Sequence, residues 1–205
     1  MRLLIVSNRL PITVIKEEGS LKFQESVGGL ASGLRSYLDS LSGSSFTKSR
    51  IECIWVGWPG LTVEDKLKES LKSKMHSDFH ACPVFLSERS MDKFYYGFSN
   101  KTLWPLFHYF TSYVQYDEDY WINYKQVNQK FCDTIMEIAK PDDIIWVHDY
   151  HLMLLPKLLR ERSLKLRLAF FLHIPFPSFE VFRQLPSKWR KEILEGLLGA
   201  DIIGF

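Results

Sequence analysis

Short apolar runs recur along the chain, separated by longer segments in which apolar residues fall three and four positions apart. The first pattern reads as buried strand and the second as amphipathic helix. RLLIVS (2–7), IECIWVG (51–57), HACPVFLS (80–87), DDIIWVH (142–148) and KLRLAFFLH (165–173) are the expected strands, and DIIGF at the end reads as one more. ITVIKEEGSLKF (12–23) reads as two short β runs joined by a turn at EEGS. Helical spacing covers 28–41, 64–75, 87–97, 117–139, 150–161 and 187–198, with SGSSFTKS (42–49) as a loop. The 117–139 segment opens on Asp117, Glu118 and Asp119, negative charge that suits a helix N-terminus. Strands alternating in this way with helices predict an α/β fold, a Rossmann-like parallel sheet with flanking helices, formed as one domain over 1–205.

Parallel sheets bind their ligands outside the carboxyl ends of the strands, near the point where strand order reverses. The strand ends are therefore where chemistry is expected. The first runs into Ser7, Asn8 and Arg9, the 51–57 strand into Trp58, the 142–148 strand into His148 and Asp149, and the 165–173 strand into His173. A polar residue at one strand end often caps the next helix and means nothing more. Four such clusters on one edge point to a site.

The residue types narrow its chemistry. Arg9 carries a planar fork of donors suited to a phosphate or carboxylate, with a salt bridge to a neighbouring acid as the plain alternative. Gly28 and Gly29 in VGGLASGL stand at an expected helix start, where a ligand can approach bare backbone and free N–H groups favour an anion. The spacing matches neither a Walker loop nor a dinucleotide fingerprint. Trp58, Tyr95 and Trp104 lie in GWPG and FYYGFSNKTLWP, stretches with too many turn residues for simple core elements. Their rings can stack on the C–H faces of a sugar or pack beneath a long loop. Asp149 and His173 offer an acceptor and a donor for sugar hydroxyls. A second carboxylate at the spacing of a glycosidase pair is not evident, which argues against hydrolysis of a glycosidic bond. HDYH (148–151) has the composition of a metal cluster, but consecutive strand positions point to opposite faces, so no metal is expected.

Composition changes this picture little. A formal net charge of +2 with interspersed signs argues against a nucleic-acid stripe or a polybasic membrane patch. No apolar run approaches the roughly 20 residues of a membrane span, and LLIV is too short for a signal-peptide core, so a cytoplasmic protein is expected. Cys53, Cys82 and Cys132 are far apart and odd in number, which fits reduced thiols rather than disulfides or zinc.

SNRLP, GGLASGL, WVGWPG, YYGFSNKTLWPLFHY, DIIWVHDYHLMLLP and FFLHIPFPSFEVFRQLP, in this order, resemble the N-terminal half of the trehalose-6-phosphate synthases, glycosyltransferase family 20. The resemblance runs from the first strand to GADIIGF. It implies the N-terminal lobe of a two-lobed GT-B enzyme that transfers glucose from UDP-glucose to glucose 6-phosphate, with retention and with no cofactor or metal. It further implies that Arg9, Trp58, Tyr95 and Trp104 hold glucose 6-phosphate, with Arg9 at the phosphate. Asp149 would bind acceptor hydroxyls at the reacting end, His173 would reach the transferred glucose, and Gly28 and Gly29 would admit the donor diphosphate. His148, Tyr150 and His151 would orient the turn or cap the next helix.

The expected C-terminal lobe, which would grip the nucleotide, is absent from these 205 residues and would be supplied in cis or in trans. Little or no transferase activity is therefore expected of the chain alone. An uncovered apolar edge at IIGF would favour a homo-oligomer. Two other readings stay open: a non-catalytic, regulatory sugar-phosphate-binding module, and a GT-B transferase with another nucleotide-sugar donor.

Overall fold

The computed structural model describes residues 1–17, 20–26, 33–34, 51–163 and 165–205. The expected helix over 28–41 and the loop over 42–49 lie almost wholly outside these residues. Eight strands are present among the described residues: β1 (Arg2–Arg9), β2 (Ile12–Glu17), β3 (Ser20–Glu25), β4 (Glu52–Trp58), β5 (Ala81–Pro83), β6 (Ile144–His148), β7 (Arg167–Phe171) and β8 (Ile202–Gly204). Six of them form one sheet in the order β5-β4-β1-β6-β7-β8, every neighbouring pair parallel, and β2 and β3 form a separate antiparallel hairpin. The chain thus builds outwards from β1 in one direction and then, from β6, in the other. The reversal falls between β1 and β6, where an open crevice is expected at the carboxyl ends.

The sheet strands are apolar because both faces are covered. Leu4, Val6, Ile54, Val56, Ile145 and Val147 are buried in the larger core, on the face packed by α4 (Glu118–Ile138), α5 (Leu155–Arg162) and α7 (Ser187–Leu197). α4 presents Trp121, Tyr124, Phe131, Cys132 and Ile135 to this core at helical spacing. On the other side, α1 (Asp65–Phe79) contributes Leu71 and Met75, which pack with Leu10, Val14 and the hairpin residues Leu21 and Phe23. At the amino edge, Arg2 bonds both carboxylate oxygens of buried Asp143 at 3.0 and 2.6 Å and donates to the carbonyl of Ile138, tying β1 to the end of α4. Among the described residues, no helix is long and apolar enough to cross a membrane.

Two sequence expectations are corrected. The strand over 80–87 pairs with β4 only at Ala81–Pro83; the Val84 N–H makes a last bond to the Gly57 carbonyl at 2.8 Å, and the chain then turns away to the Ser87 N-cap of the next helix. The helix expected over 87–97 does not end there but continues through the rest of the turn-rich FYYGFSNKTLWP: α2 (Glu88–Met91) runs into a wide π-type stretch, Asp92–Leu103, and then α3 (Trp104–Phe107). The backbone N–H of Trp104 donates to the carbonyl of Ser99, five residues back. Gly97 is there for packing, not for a turn: a Cβ at this position would stand 2.8 Å from the Tyr120 ring of α4. α6 (Phe179–Phe182) is a single turn before α7.

Candidate functional site

Because all six strands run the same way, Arg9, Trp58, Asp149 and His173 come to one edge. They form two groups, one at the ends of β1 and β4 and one at the ends of β6 and β7, flanking the switch point where a crevice is expected. On the first side, β1 bulges: Val6 pairs with Val56 and Arg9 with Trp58, so three steps along β1 match two along β4. The extra residue shifts the strand end, as bulges beside sites commonly do. Ser7 Oγ donates to the carbonyl of Arg9 at 2.8 Å, and the Leu10 N–H closes back on the Trp58 carbonyl at 3.0 Å. Gly57 admits this close crossing, since a Cβ there would lie 2.7 Å from the carbonyl oxygen of Ser7. The guanidinium of exposed Arg9 lies 5.0 Å from the centroid of the Trp58 ring, a cation–π contact. Asn8 Oδ1 and Trp58 Nε1 are buried without a hydrogen-bond partner among the described residues.

On the second side, β6 ends in His148 and the chain turns through Asp149 with φ 75° and ψ 166°. Only glycine adopts this region readily, so an aspartate there is strained by roughly 1–3 kcal/mol. The surroundings hold it. The Asp149 N–H donates to the Phe171 carbonyl at 2.7 Å, and its own carbonyl accepts from Leu152 at 3.1 Å. From α4, the Tyr124 hydroxyl donates to the Tyr150 carbonyl at 2.7 Å and accepts from the Met153 N–H at 3.1 Å. Asn128 Nδ2 donates to the His151 carbonyl at 3.1 Å. The strain thus sits on a residue whose carboxylate Oδ1 accepts from the His173 N–H at 3.4 Å.

Of three histidines near this turn, His151 faces the carboxylate, His173 meets it through its backbone N–H, and His148 bonds His173. His151 Nδ1 is 3.7 Å from Asp149 Oδ2, and its ring lies between Tyr150 (4.1 Å between centroids) and Tyr95 (5.6 Å, nearly parallel). Tyr95 therefore joins the site through His151. His148 is fully buried and shares a 3.0 Å hydrogen bond, Nδ1 to Nε2, with exposed His173. Burial, helped by His173 alongside, pushes His148 down to about 3, and burial pushes His151 down to about 4 against the opposing pull of Asp149, so both are neutral at pH 7. Buried Tyr150 is raised above the ordinary phenol value, first by desolvation and then by Asp149.

Trp104 stands elsewhere. It is 40% exposed at the start of α3, stacked on His108 at 4.2 Å and near Phe110 at 6.0 Å, and among the described ring contacts it meets none of the other candidates. Gly28 and Gly29 lie outside the described residues. His148 is not a cap: it holds His173. The Tyr124–Asn128 clamp escaped the sequence reading, although an asparagine inside the apolar stripe Trp121, Tyr124, Phe131, Ile135 was a signal for it. Among the described residues no three His, Cys, Asp or Glu side chains are grouped as a metal site requires.

A six-stranded parallel sheet of this order with helices on both faces is a Rossmann-like lobe, and the solved structures it resembles make it the N-terminal lobe of a GT-B glycosyltransferase. The sequence model of glycosyltransferase family 20 matches residues 1–205, and the chain belongs to that family. It is 46% identical over 208 residues to the bifunctional trehalose-6-phosphate synthase/phosphatase of Thermoproteus tenax, covering all of this chain and 27% of the relative. Among solved structures it resembles the UDP-forming α,α-trehalose-phosphate synthase of Burkholderia xenovorans in complex with glucose-6-phosphate (33% identity, TM-score 0.74), covering all of this chain and 40% of that one. It also resembles the N-terminal domain of Candida albicans trehalose-6-phosphate phosphatase (35% identity, TM-score 0.76), again with full coverage here and 40% there. The chain thus spans about a quarter to two fifths of the length of these relatives.

Proposed function

We propose that this chain is the acceptor-binding lobe of a retaining glycosyltransferase that moves glucose from UDP-glucose to glucose 6-phosphate, giving trehalose 6-phosphate and UDP. The observation that carries this reading is the pairing, across the switch point, of the guanidinium of exposed Arg9 on an aromatic ring with a strained, well-held aspartate. Arg9 takes the phosphate of the acceptor sugar, and Trp58 packs against it. Asp149 accepts from acceptor hydroxyls and so fixes which oxygen faces the donor. His173 reaches the transferred glucose, Tyr95 supports Asp149 through His151, and Trp104 extends the acceptor surface. Gly28 and Gly29 keep the diphosphate role that the family resemblance gives them.

Asp149 is the one carboxylate among the candidate residues. Catalysis would therefore rest on positioning and on stabilising charge as it develops, with the departing diphosphate taking the acceptor proton on the same face, rather than on a covalent enzyme intermediate. A second lobe, in cis or in trans, completes the donor site. Buried or half-buried free thiols fit the cytoplasm, where nucleotide sugars are used.

The test is a product assay. Incubated with UDP-glucose and glucose 6-phosphate, the chain alone is expected to form no trehalose 6-phosphate, and to do so once a C-terminal lobe from a family member is added. Turnover by the chain alone would overturn the half-site account. A second reading is favoured by the occurrence of this fold as the N-terminal domain of a protein named as a phosphatase: a sugar-phosphate-binding module without transferase activity. In that case glucose 6-phosphate still binds, but no added lobe restores turnover.

A further inference from the structure

The His148–His173 bond carries a consequence for the side of His173 that meets a ligand. A bond between two neutral imidazoles contains one proton, and either ring can supply it. His148 is fully buried, its Nδ1 engaged with His173 Nε2 at 3.0 Å, while its Nε2 is buried without a hydrogen-bond partner among the described residues. Were the His148 proton on Nε2, the protein would bury an N–H with no acceptor, which folded proteins rarely tolerate. With the proton on Nδ1, the unpartnered atom is a bare lone pair and the proton lies in the shared bond. The rings meet end-on, 23° from coplanar with centroids 5.2 Å apart, as an in-plane hydrogen bond requires, and Trp146 and Phe171 pack beside His148 and His173 respectively.

We propose that His148 is a positioning residue: by donating its Nδ1–H to His173 Nε2 it fixes His173 as the Nδ1–H tautomer, so that exposed His173 offers a hydrogen-bond donor, and no acceptor, to an oxygen of the bound sugar. The donor role toward a sugar rests on the function proposed above, whereas the tautomer does not. An unconstrained histidine favours the opposite tautomer, with its proton on Nε2. His148 therefore inverts the intrinsic preference of the residue in front of it. Asp149 suits this arrangement, since its carboxylate is held by the backbone of His173 and supplies the acceptor that the imidazole no longer offers.

Long-range ¹H–¹⁵N spectra of the imidazole groups in the full chain test this. In the wild type, His173 is expected to carry its proton on Nδ1 and His148 to carry its own on Nδ1. In His148→Phe, which keeps a ring of similar shape, His173 should revert to the Nε2–H form. A wild-type His173 protonated on Nε2 overturns the proposal without any variant, and so does a tautomer unchanged in a folded His148→Phe protein. UDP-glucose added to the same sample separates this inference from the function. The stated tautomer with no perturbation at His173 or Asp149 overturns the sugar-facing role and leaves the His148 assignment standing; a shift of the His173 Nδ1 resonance supports both.

Discussion

Asp149 is held against its own backbone preference. Its backbone occupies a region that costs an aspartate roughly 1–3 kcal/mol, and its side chain gains little inside the protein, a 3.4 Å contact with the His173 N–H and a 3.7 Å approach to the neutral His151 ring. Such a residue is kept for what it does outside the fold. Asp149→Gly should therefore raise stability by about 1 kcal/mol, read as a higher denaturant midpoint, while glucose 6-phosphate binding is lost. A glycine variant that is less stable than the wild type would show that the carboxylate is structural. Asp149, Arg9, Trp58 and His173 were legible in the sequence because each ends an apolar strand, and parallel strands share an edge. The role of His148 was not: a histidine at a strand end carries no mark in the sequence of which partner it will meet 25 residues later.

Among the elements, α4 does more than cover the sheet. Its apolar stripe packs the larger core, and two polar members of that stripe, Tyr124 and Asn128, reach the turn after β6 and hold its carbonyls and one N–H. Tyr124→Phe leaves the Tyr150 carbonyl and the Met153 N–H buried without that partner and should cost about 2 kcal/mol in denaturant unfolding. Glucose 6-phosphate binding should weaken with it, because the Asp149 turn loosens; a variant of wild-type stability would mean that the clamp is idle. The strands and most helices followed from periodicity. The helix expected over 87–97 was found, but its continuation to Phe107 was not foreseen, because Gly97, Ser99 and Asn100 read as turn formers and only the ring of Tyr120 on another helix explains the glycine.

For the molecule as a whole, the two buried histidines at the end of β6 make stability depend on pH. Both have folded values below the ordinary 6.5, about 3 for His148 and about 4 for His151, so the unfolded chain takes up these protons first. Their contribution is complete above pH 6.5 and is lost progressively as pH falls towards those folded values. Denaturant midpoints should drop between about pH 7.5 and about pH 5; a flat profile would mean that the imidazoles reach water. The same burial anchors one wall of the crevice, while the β1 bulge against Gly57 anchors the other. On the proposed function, these walls form a ready half-site for a phosphorylated hexose. Calorimetric titration of the chain with glucose 6-phosphate, beside Arg9→Ala, tests it most directly. Saturable binding in the wild type, weakened by at least about tenfold in Arg9→Ala, is the predicted result. Absence of binding, or equal binding by both proteins, would contradict it.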